Sequence, residues 1–294
     1  MNLSVEPGKY VVAVSGGVDS IVLLDLLAKV PHVKLIVAHF DHGIRPDSGE
    51  DAVLVADLAN KYGLPVSTAR VDLRGASEAK AREARYKFLR WVQAEHDATA
   101  IITAHHQDDL LETAIHNLLR GTGRRGLASL KSTDTILRPL LAVSKSDILA
   151  YATKQKLSWH EDTTNHDERY TRNYIRHRLL VRFNTGARQQ LLALISRQSL
   201  LNEQIDQGLE QLLVEHSTGL KLDRRWFCTL PHDVSKEVIA SWLRQHKLAD
   251  FDRTVIERLT VGAKVMRAGK QLDIMHGSSL IVSRDYLALS PAER

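Results

Sequence analysis

Residues 10–20 read YVVAVSGGVDS, an apolar run rich in β-branched residues that ends in a glycine-containing turn. Leucines then recur at helical spacing from Ile21 to Val30, so the predicted order is strand, tight turn and helix. Gly16 and Gly17 carry no side chains, so backbone N–H groups of the turn can approach phosphate oxygens, and the start of the following helix favours negative charge. The turn is therefore predicted to bind a phosphorylated ligand.

The alternation of strand and helix continues beyond this turn. Further strands are predicted at 34–39, 64–71 and 99–104, and further helices at 49–62, 78–96 and 107–119. Such alternation indicates βαβ units with right-handed crossovers. A last strand at 136–141 contains Pro139, which favours a sheet edge, and Ser144 can cap a helix at 144–156. We predict an α/β fold with a doubly wound, mainly parallel sheet of about five strands.

The pattern becomes helical in the last third of the chain. A long amphipathic helix is predicted from Gln189 to about His216, with further helices at 235–246 and 253–262. Residues 271–275 and 280–289 are typical of a terminal β-hairpin. We therefore predict a catalytic domain at residues 1–185 and a smaller, mostly helical domain at 186–294 that ends in this hairpin.

Cysteine content and hydropathy limit the function classes. Cys228 is the one cysteine, which argues against an intrachain disulfide, a CxxC redox pair, a cysteine-rich zinc site and a protein-held iron–sulfur cluster. Residues 1–10 do not resemble a signal peptide, and no apolar run approaches the length of a membrane span. We expect a cytoplasmic protein without a membrane partner.

Positive charge is concentrated in two short segments. The formal net charge is +5, and residues 169–188 carry six arginines and no acidic residue. A second group consists of Arg120, Arg124 and Arg125. Such a pattern fits a solvated helix face as well as a surface that binds the phosphates of a nucleic acid.

The phosphate-binding turn is of an unusual kind. Neither GxxxxGK[ST] nor a GxGxxG segment after a strand is present, which argues against P-loop NTPases and nicotinamide-binding enzymes. Instead SGGVDS resembles the PP-loop of the N-type ATP pyrophosphatases, which cleave ATP to AMP and pyrophosphate in order to adenylate a substrate. This resemblance implies that ATP is bound by the turn residues Ser15, Gly16, Gly17, Val18, Asp19 and Ser20. Asp19 is expected to hold Mg²⁺ or to position the loop.

Several further segments resemble one family within this superfamily, the tRNA(Ile)-lysidine synthetases. They are HFDHGIR at 39–45, AREARY at 81–86, HHQDDLLET at 105–113, LRGTG at 119–123, RPLL at 138–141, EDTTN at 161–165 and RNYIR at 172–176. The combination covers about residues 10–180. Val181 stands where the family often has proline, and the region after the motifs is shorter than in the longest members, so the mode of tRNA docking is left open.

The resemblance implies an ATP-dependent ligase. Such an enzyme adenylates C2 of cytidine 34 in the CAU anticodon of tRNA(Ile) and releases diphosphate. The ε-amino group of L-lysine then attacks C2 and expels AMP, which leaves lysidine. The expected substrates are ATP with Mg²⁺, L-lysine and tRNA(Ile), whose single-stranded anticodon loop lets a base enter a pocket without breaking a duplex.

The segments also imply site residues. His39 and Phe40, at the end of the second strand, are expected to contact ATP through the backbone, and the expected catalytic residues are Asp19, Asp41, His42, Arg45 and Arg85. The alternative is that His39, Asp41 and His42 are loop residues bonded to each other, but their clustering with Arg45 beside a phosphate-binding turn favours the functional interpretation. Arg82 and Arg85 share one helix face, where they meet phosphate, are solvated, or pair with Glu78 and Glu83.

Asp109 and Glu112 are the predicted lysine-binding residues. They stand three apart on a predicted helix, so both carboxylates share a face near the phosphate turn, and Glu112 is also a candidate for handling the ammonium proton. The alternative is that they are acids at a helix start, favoured by the helix dipole. The predicted tRNA-binding residues are Arg120, Arg124, Arg125, Arg172, Asn173 and Arg176.

Rival functions make different demands on the chain. A tRNA thiolase typically needs paired cysteines or an iron–sulfur cluster, and Cys228 lies far from the motifs. A zinc hydrolase is disfavoured because neighbouring His105 and His106 diverge on a helix and no HExxH segment is present. A synthetase of a small molecule and a catalytically silent, nucleotide-gated tRNA-binding protein remain alternatives.

Overall fold

The structure is a computed structural model that describes residues 1, 3–43, 48–160, 171–248, 251–275 and 277–290. The chain divides into two compact units, Met1–Gln198 and Ser199–Arg294. The point of division lies inside one helix, Thr185–His216. No helix in the described part of the chain is long and apolar enough to cross a membrane.

The first unit contains a five-stranded sheet in which every pairing is parallel. The strands are β1 (Gly8–Ala13), β2 (Val33–Asp41), β3 (Val66–Arg70), β4 (Ala100–Ile102) and β5 (Ile136–Leu137), in the order β3-β2-β1-β4-β5. The predicted doubly wound α/β fold is confirmed. β5 is an edge strand of only two residues, because Pro139 cannot donate a backbone hydrogen bond to extend the ladder.

Helices follow the strands in the first unit. They are α1 (Val18–Leu27), α2 (Ser48–Lys61), α3 (Glu78–Glu95), α4 (Gln107–Leu119), α5 (Arg124–Leu127), α6 (Lys145–Lys154) and α7 (Thr171–Tyr174). The helix α8 (Thr185–His216) begins in the first unit and ends in the second. A π-helical turn at Ile175–Leu179 and a 3₁₀ turn at Leu180–Arg182 lie between α7 and α8. The predicted start of α6 is confirmed, since the Ser144 side chain accepts a hydrogen bond from the Asp147 N–H at 3.1 Å.

Alternating residues of the strands supply two apolar cores. On one face of β1, Val12 packs with residues of α1, α2 and α6. On the other face, Val11 packs with residues of α3, including Leu89. Burial of both faces is typical of a parallel sheet. This packing fixes the strands relative to one another, so their carboxyl ends lie together at one edge of the sheet.

The strand order reverses at β1. β2 and β3 lie on one side of β1, whereas β4 and β5 lie on the other. Open α/β sheets bind ligands at such a switch point, in the crevice between the carboxyl ends of the two central strands. The segments that reach this crevice are the turn after β1, residues 15–17, and the turn after β4, residues 103–106.

The second unit contains more strand than the sequence indicated. Its antiparallel sheet has the order β6-β7-β10-β9-β8 and comprises β6 (Ser217–Thr218), β7 (Lys221–Asp223), β8 (Lys270–Met275), β9 (Ser278–Val282) and β10 (Tyr286–Ser290). Its helices are α9 (Arg224–Thr229), α10 (His232–Gln245) and α11 (Arg253–Val265). The predicted strand 280–289 is two strands, because the chain turns where the Ser283 N–H donates to the Tyr286 carbonyl.

Candidate active site

Gly16 gives the turn after β1, which is predicted to bind phosphate, its shape. Its φ is +93°, a conformation that favours glycine. A Cβ added there would meet Oδ1 of the buried Asp51 at 3.0 Å. His160 contacts both residues. Its backbone N–H donates to the Gly16 carbonyl at 3.1 Å, and its ring Nδ1 donates to Asp51 Oδ1 at 2.7 Å. Asp51 and His160 were missed by sequence reasoning and act here as residues that position Gly16.

Gly17 has a different role from Gly16. Its φ is −75°, and an added Cβ would meet only Ser15 Oγ, at 3.6 Å, among the described residues. Ser20 closes the turn from inside, since its Oγ accepts from the Ser15 N–H at 3.1 Å and donates to the Gly17 carbonyl at 2.8 Å. No described side chain caps α1 at Gly17, so the start of this helix is open to an anion.

Asp19 lies between two basic side chains. Its Oδ1 accepts a hydrogen bond from Lys145 Nζ at 2.6 Å, and its Oδ2 lies 3.7 Å from His106 Nε2. Burial raises the pKa of Asp19, but His106 and Lys145 together outweigh it and hold this pKa below the ordinary value of 3.8. Lys145 was missed by sequence reasoning. The sequence feature that could have revealed Lys145 is its place in the first position of α6, where the helix dipole disfavours positive charge.

His106 caps α4. Its Nδ1 accepts from the Asp108 N–H at 3.2 Å, while its own N–H donates to Asp109 Oδ2 at 2.9 Å, which is a reciprocal capping box. The proton of the neutral ring is therefore on Nε2, which lies 3.5 Å from Asp109 Oδ2. Burial lowers the pKa of His106, but Asp19 and Asp109 outweigh burial and raise it. His106 thus connects the first turn of α1 to the start of α4.

Asp109 and Glu112 lie on one face of α4, as their spacing predicts, and that face holds the guanidinium of Arg176. Arg176 Nε donates to Glu112 Oε1 at 2.5 Å, and Nη2 donates to Glu112 Oε2 at 3.0 Å. Nη2 also lies 3.5 Å from Asp109 Oδ1. Burial raises the pKa of Glu112, and Arg176 opposes part of that rise. The two carboxylates therefore form a cation-binding site that a side chain of the protein occupies.

The predicted residues after β2 lie at the same edge of the sheet. His39 Nδ1 donates to the Val14 carbonyl at 2.9 Å, and its buried Nε2 has no hydrogen bond to a described residue. The Phe40 side chain packs in the core below α3, so only its backbone faces the edge. Asp41 accepts from the Gly43 N–H at 2.8 Å and pairs with Arg70, while the His42 ring contacts the Phe40 ring edge-on at 4.9 Å. Arg45 lies outside the described residues.

The arginines of α3 contact an aromatic ring. The guanidinium carbons of Arg82 and Arg85 lie 4.8 and 5.6 Å from the centre of the Tyr86 ring. Glu78, one of the two partners proposed for them, instead pairs with Arg172, at 2.5 Å from Nη1 to Oε1. Burial is the largest cause that lowers the pKa of Arg85.

The other predicted tRNA-binding residues are on short elements of the first unit. Arg120 follows the last turn of α4, Arg124 and Arg125 begin α5, and Asn173 is in α7. Asn117 holds this segment in place, because its Nδ2 donates to the Gly126 carbonyl at 2.8 Å and to Ser129 Oγ at 3.0 Å. The segment EDTTN at 161–165 lies outside the described residues.

An open parallel sheet with an SGGVDS turn at its switch point defines the PP-loop class of α/β proteins. Residues 2–183 match the PP-loop domain family, and the chain belongs to this family. Among curated proteins it is similar to tRNA(Ile)-lysidine synthases. It is 37% identical to that of Thermotoga maritima over 71% of this chain and 54% of the relative, and 33% identical to that of Thermosipho africanus over 86% and 60%.

The chain spans about half the length of the curated relatives it matches. Among solved structures it is similar to the U34-tRNA thiolase NcsA from Methanococcus maripaludis with its [4Fe-4S] cluster. The TM-score is 0.50 with 18% sequence identity, over 68% of this chain and 74% of the thiolase. At this identity the similarity concerns the fold alone.

Proposed function

We propose that this protein is a tRNA(Ile)-lysidine synthetase. It adenylates C2 of cytidine 34 in a CAU anticodon with ATP and then joins the ε-amino group of L-lysine to the same carbon. The observation that carries the proposal is the joining of two sites by His106. One is a phosphate-binding turn at the switch point, and the other is a pair of carboxylates that holds a cationic side chain. The relatives named tRNA(Ile)-lysidine synthase support it.

ATP binds through its phosphates to the turn Ser15–Ser20, and the backbone of His39 and Phe40 contacts the adenine. Asp19 fits as an oxygen ligand of Mg²⁺ carried with ATP, because its carboxylate already accepts a cation, Lys145. When bound, Mg²⁺ neutralises phosphate charge. Lys145 supplies positive charge at the same place, and Asp41, His42, Arg45 and Arg85 are the further catalytic residues of the proposal.

In the first step the C2 oxygen of cytidine attacks the α-phosphorus of ATP. The bond to the β-phosphate oxygen breaks, and diphosphate leaves. Fixed positive groups stabilise the charge that develops on the leaving group, provided that they are oriented before the reaction. Lys145 meets this condition, because its ion pair with Asp19 fixes its ammonium beside the turn.

In the second step neutral lysine amine attacks C2, and AMP leaves with the bonding electrons. Asp109 and Glu112 bind the lysine substrate. When lysine enters, Arg176 either moves away from these carboxylates or shares them with the substrate. A carboxyl group is a better proton acceptor when its pKa is raised. Burial raises the pKa of Glu112, so Glu112 is the group that accepts the ammonium proton.

The tRNA phosphates bind to Arg120, Arg124, Arg125, Arg172, Asn173 and Arg176. Residues 199–294 carry equal numbers of basic and acidic residues, so the net charge of +5 lies in residues 1–198. We propose residues 1–185 as the catalytic domain and residues 186–294 as a domain that adds shape-specific tRNA contacts. Since ATP and tRNA are the substrates, we expect the enzyme to work in the cytoplasm.

Pyrophosphate release separates this proposal from its rivals. With ATP, Mg²⁺ and a tRNA(Ile) transcript but neither lysine nor a sulfur donor, we expect pyrophosphate release in proportion to the transcript. A silent tRNA-binding protein releases none, and a synthetase of a small molecule releases pyrophosphate only when its own substrate is added, whether or not the transcript is present. Release that does not depend on the transcript would contradict the proposal.

A further inference from the structure

Three arginines gather around Tyr86, two from the first turns of α3 and one from the end of β5. Arg82 and Arg85 stack on the Tyr86 ring. Arg138 follows β5 directly, and the neighbouring Tyr86 opposes the effect by which burial lowers the pKa of Arg138. We call Arg82, Arg85 and Arg138 the Tyr86 arginine cluster.

No carboxylate of the described residues forms a direct ion pair with the cluster, although Glu78 lies near enough to raise the pKa of Arg85. Glu78 itself is paired with Arg172. The main-chain contact of Arg138 is a hydrogen bond from Nη1 to the Lys131 carbonyl. Positive charges that lie together without an anion repel one another, and the removal of Arg85 and Arg138 from water costs further free energy, whereas Arg82 is exposed.

Two buried polar atoms of the cluster also lack partners. Arg138 is 8% exposed and Tyr86 is 6% exposed. The Arg138 Nε and the Tyr86 hydroxyl are both buried, and neither has a hydrogen bond of good geometry within the described part of the chain. The two side chains are neighbours, and Tyr86 favours the charged form of Arg138. Buried donors of this kind are rare in folded proteins and point to a missing partner. Arginine and phenol are both donors to phosphate oxygens.

The pKa of His105 responds to the positive charge of the cluster. It follows β4 at the switch point, and its Nδ1 lies 2.8 Å from Thr103 Oγ1. Burial is the main cause that lowers the pKa of His105 to about 3, and Arg138, Arg85 and Arg82 follow in that order. All three arginines therefore lie close enough to His105 to lower its pKa. His105 is at the carboxyl edge of the sheet, on the opposite side of β1 from β2.

We infer that the Tyr86 arginine cluster is a phosphoryl-binding subsite, separate from the turn Ser15–Ser20. Guanidinium groups bind phosphate through two parallel hydrogen bonds, and a phosphoryl group would supply the missing negative charge and the missing acceptors together. The subsite deepens the proposed function, which brings two phosphoryl sources to this edge. One source is the diphosphate of ATP, and the other is a backbone phosphate of the RNA.

Binding measurements with the ligand-free protein test the inference. Sodium pyrophosphate and a stem–loop RNA with a CAU anticodon are titrated separately into wild-type protein, Arg85→Gln and Arg90→Gln. Arg90 is a matched control, because it is exposed on the same helix and its replacement removes the same charge. Loss of one arginine–phosphate contact corresponds to about tenfold weaker binding.

If Arg85→Gln, but not Arg90→Gln, binds pyrophosphate about tenfold more weakly, the subsite belongs to the diphosphate. If Arg85→Gln, but not Arg90→Gln, binds the stem–loop about tenfold more weakly, the subsite belongs to the RNA. Either result supports the subsite. Equal affinities in all three proteins, or equal losses in both variants, would overturn it. The Arg85→Gln variant should also unfold at the wild-type temperature or above, since it loses an uncompensated cation, whereas a structural arginine would lower that temperature. Because these measurements use no lysine and no turnover, they do not depend on the outcome of the lysidine reaction.

Discussion

Arg176 and Glu112 are 64 residues apart in the chain and form a bidentate ion pair. The Glu112 side chain is 4% exposed, whereas that of Arg176 is 36% exposed. The carboxylate is therefore deep in the site, and the guanidinium covers it from the solvent side. The pair joins α4 to the π-helical turn, an irregularity that is frequent at functional sites.

Replacing Arg176 with Ala should destabilise the protein. The buried Glu112 would lose its counter-ion, which costs about 3 kcal/mol for a buried pair and less where one partner is partly exposed. Urea unfolding of Arg176→Ala, with the exposed Arg182→Ala as control, measures this difference. The double variant Arg176→Ala with Glu112→Gln should recover part of the loss. Equal stability of Arg176→Ala and Arg182→Ala would show that the pair contributes nothing.

The proposed lysine-binding role of Asp109 and Glu112 makes a separate prediction. Asp109→Asn and Glu112→Gln should still adenylate tRNA without lysine, but they should need at least about tenfold more lysine to finish, because each loses a charge-assisted contact. The measurement is the KM for lysine in single-turnover release of AMP. Asp108→Asn is the control, since Asp108 pairs with Arg188 instead. A wild-type KM for lysine in both variants would remove these two residues from the site.

The phosphate-binding turn and Lys145 are tested by substitutions that should leave the fold intact. The Cβ of Gly17→Val makes an ordinary van der Waals contact with Ser15 Oγ at 3.6 Å, whereas a Cβ at Gly16 would meet Asp51 at 3.0 Å. Asp19→Ala removes the carboxylate. Both should reduce pyrophosphate release on the order of a hundredfold or more. Lys145→Met should reduce it as well, with partial rescue by Lys145→Arg, whereas Lys154→Met on the same helix should not. Wild-type release by Gly17→Val would mean that ATP binds elsewhere.

A buried aspartate on the other face of α1 predicts a dependence of stability on pH. Asp25 accepts hydrogen bonds from Lys29 at 2.6 Å, from Tyr151 at 2.7 Å and from Tyr62, so it joins α1 to α2 and α6. Burial raises the pKa of Asp25, but these partners outweigh it and lower this pKa below 3.8. Its contribution is therefore present above pH 3.8 and is lost as the pH falls through the lowered value.

Asp25→Asn should accordingly lose about 2 kcal/mol of unfolding free energy at pH 7. The gap to wild type should shrink as the pH falls below about 4. Asp57→Asn, at an exposed position of α2, is the control. A gap between Asp25→Asn and wild type that stayed constant with pH would show that the carboxylate charge is not what stabilises this junction.

The features predictable from the sequence are those whose signals are local. The alternation of strands and helices indicated the parallel sheet, and Pro139 indicated the edge strand. β6 and β7 were missed, because two or three residues are too short to show a period of two.

Long-range pairings were not predictable in the same way. The spacing of Asp109 and Glu112 predicted that they share a face, but it could not show that Arg176 covers them. Lys145 and His160 lie more than a hundred residues after their partners, Asp19 and Asp51. Single charged residues in a helix start or a loop carry no signal of what they will meet in the folded protein.

Transfer of labelled lysine to RNA is the reaction that the proposed function requires. The protein is incubated with ATP, Mg²⁺, labelled L-lysine and tRNA(Ile) transcripts that differ only at position 34, with the Asp19→Ala variant as a control for activation. We predict that label enters the transcript with cytidine at that position, in a reaction that consumes one ATP per lysine. Label in transcripts without this cytidine, or no label in any transcript while pyrophosphate is released, would contradict the account.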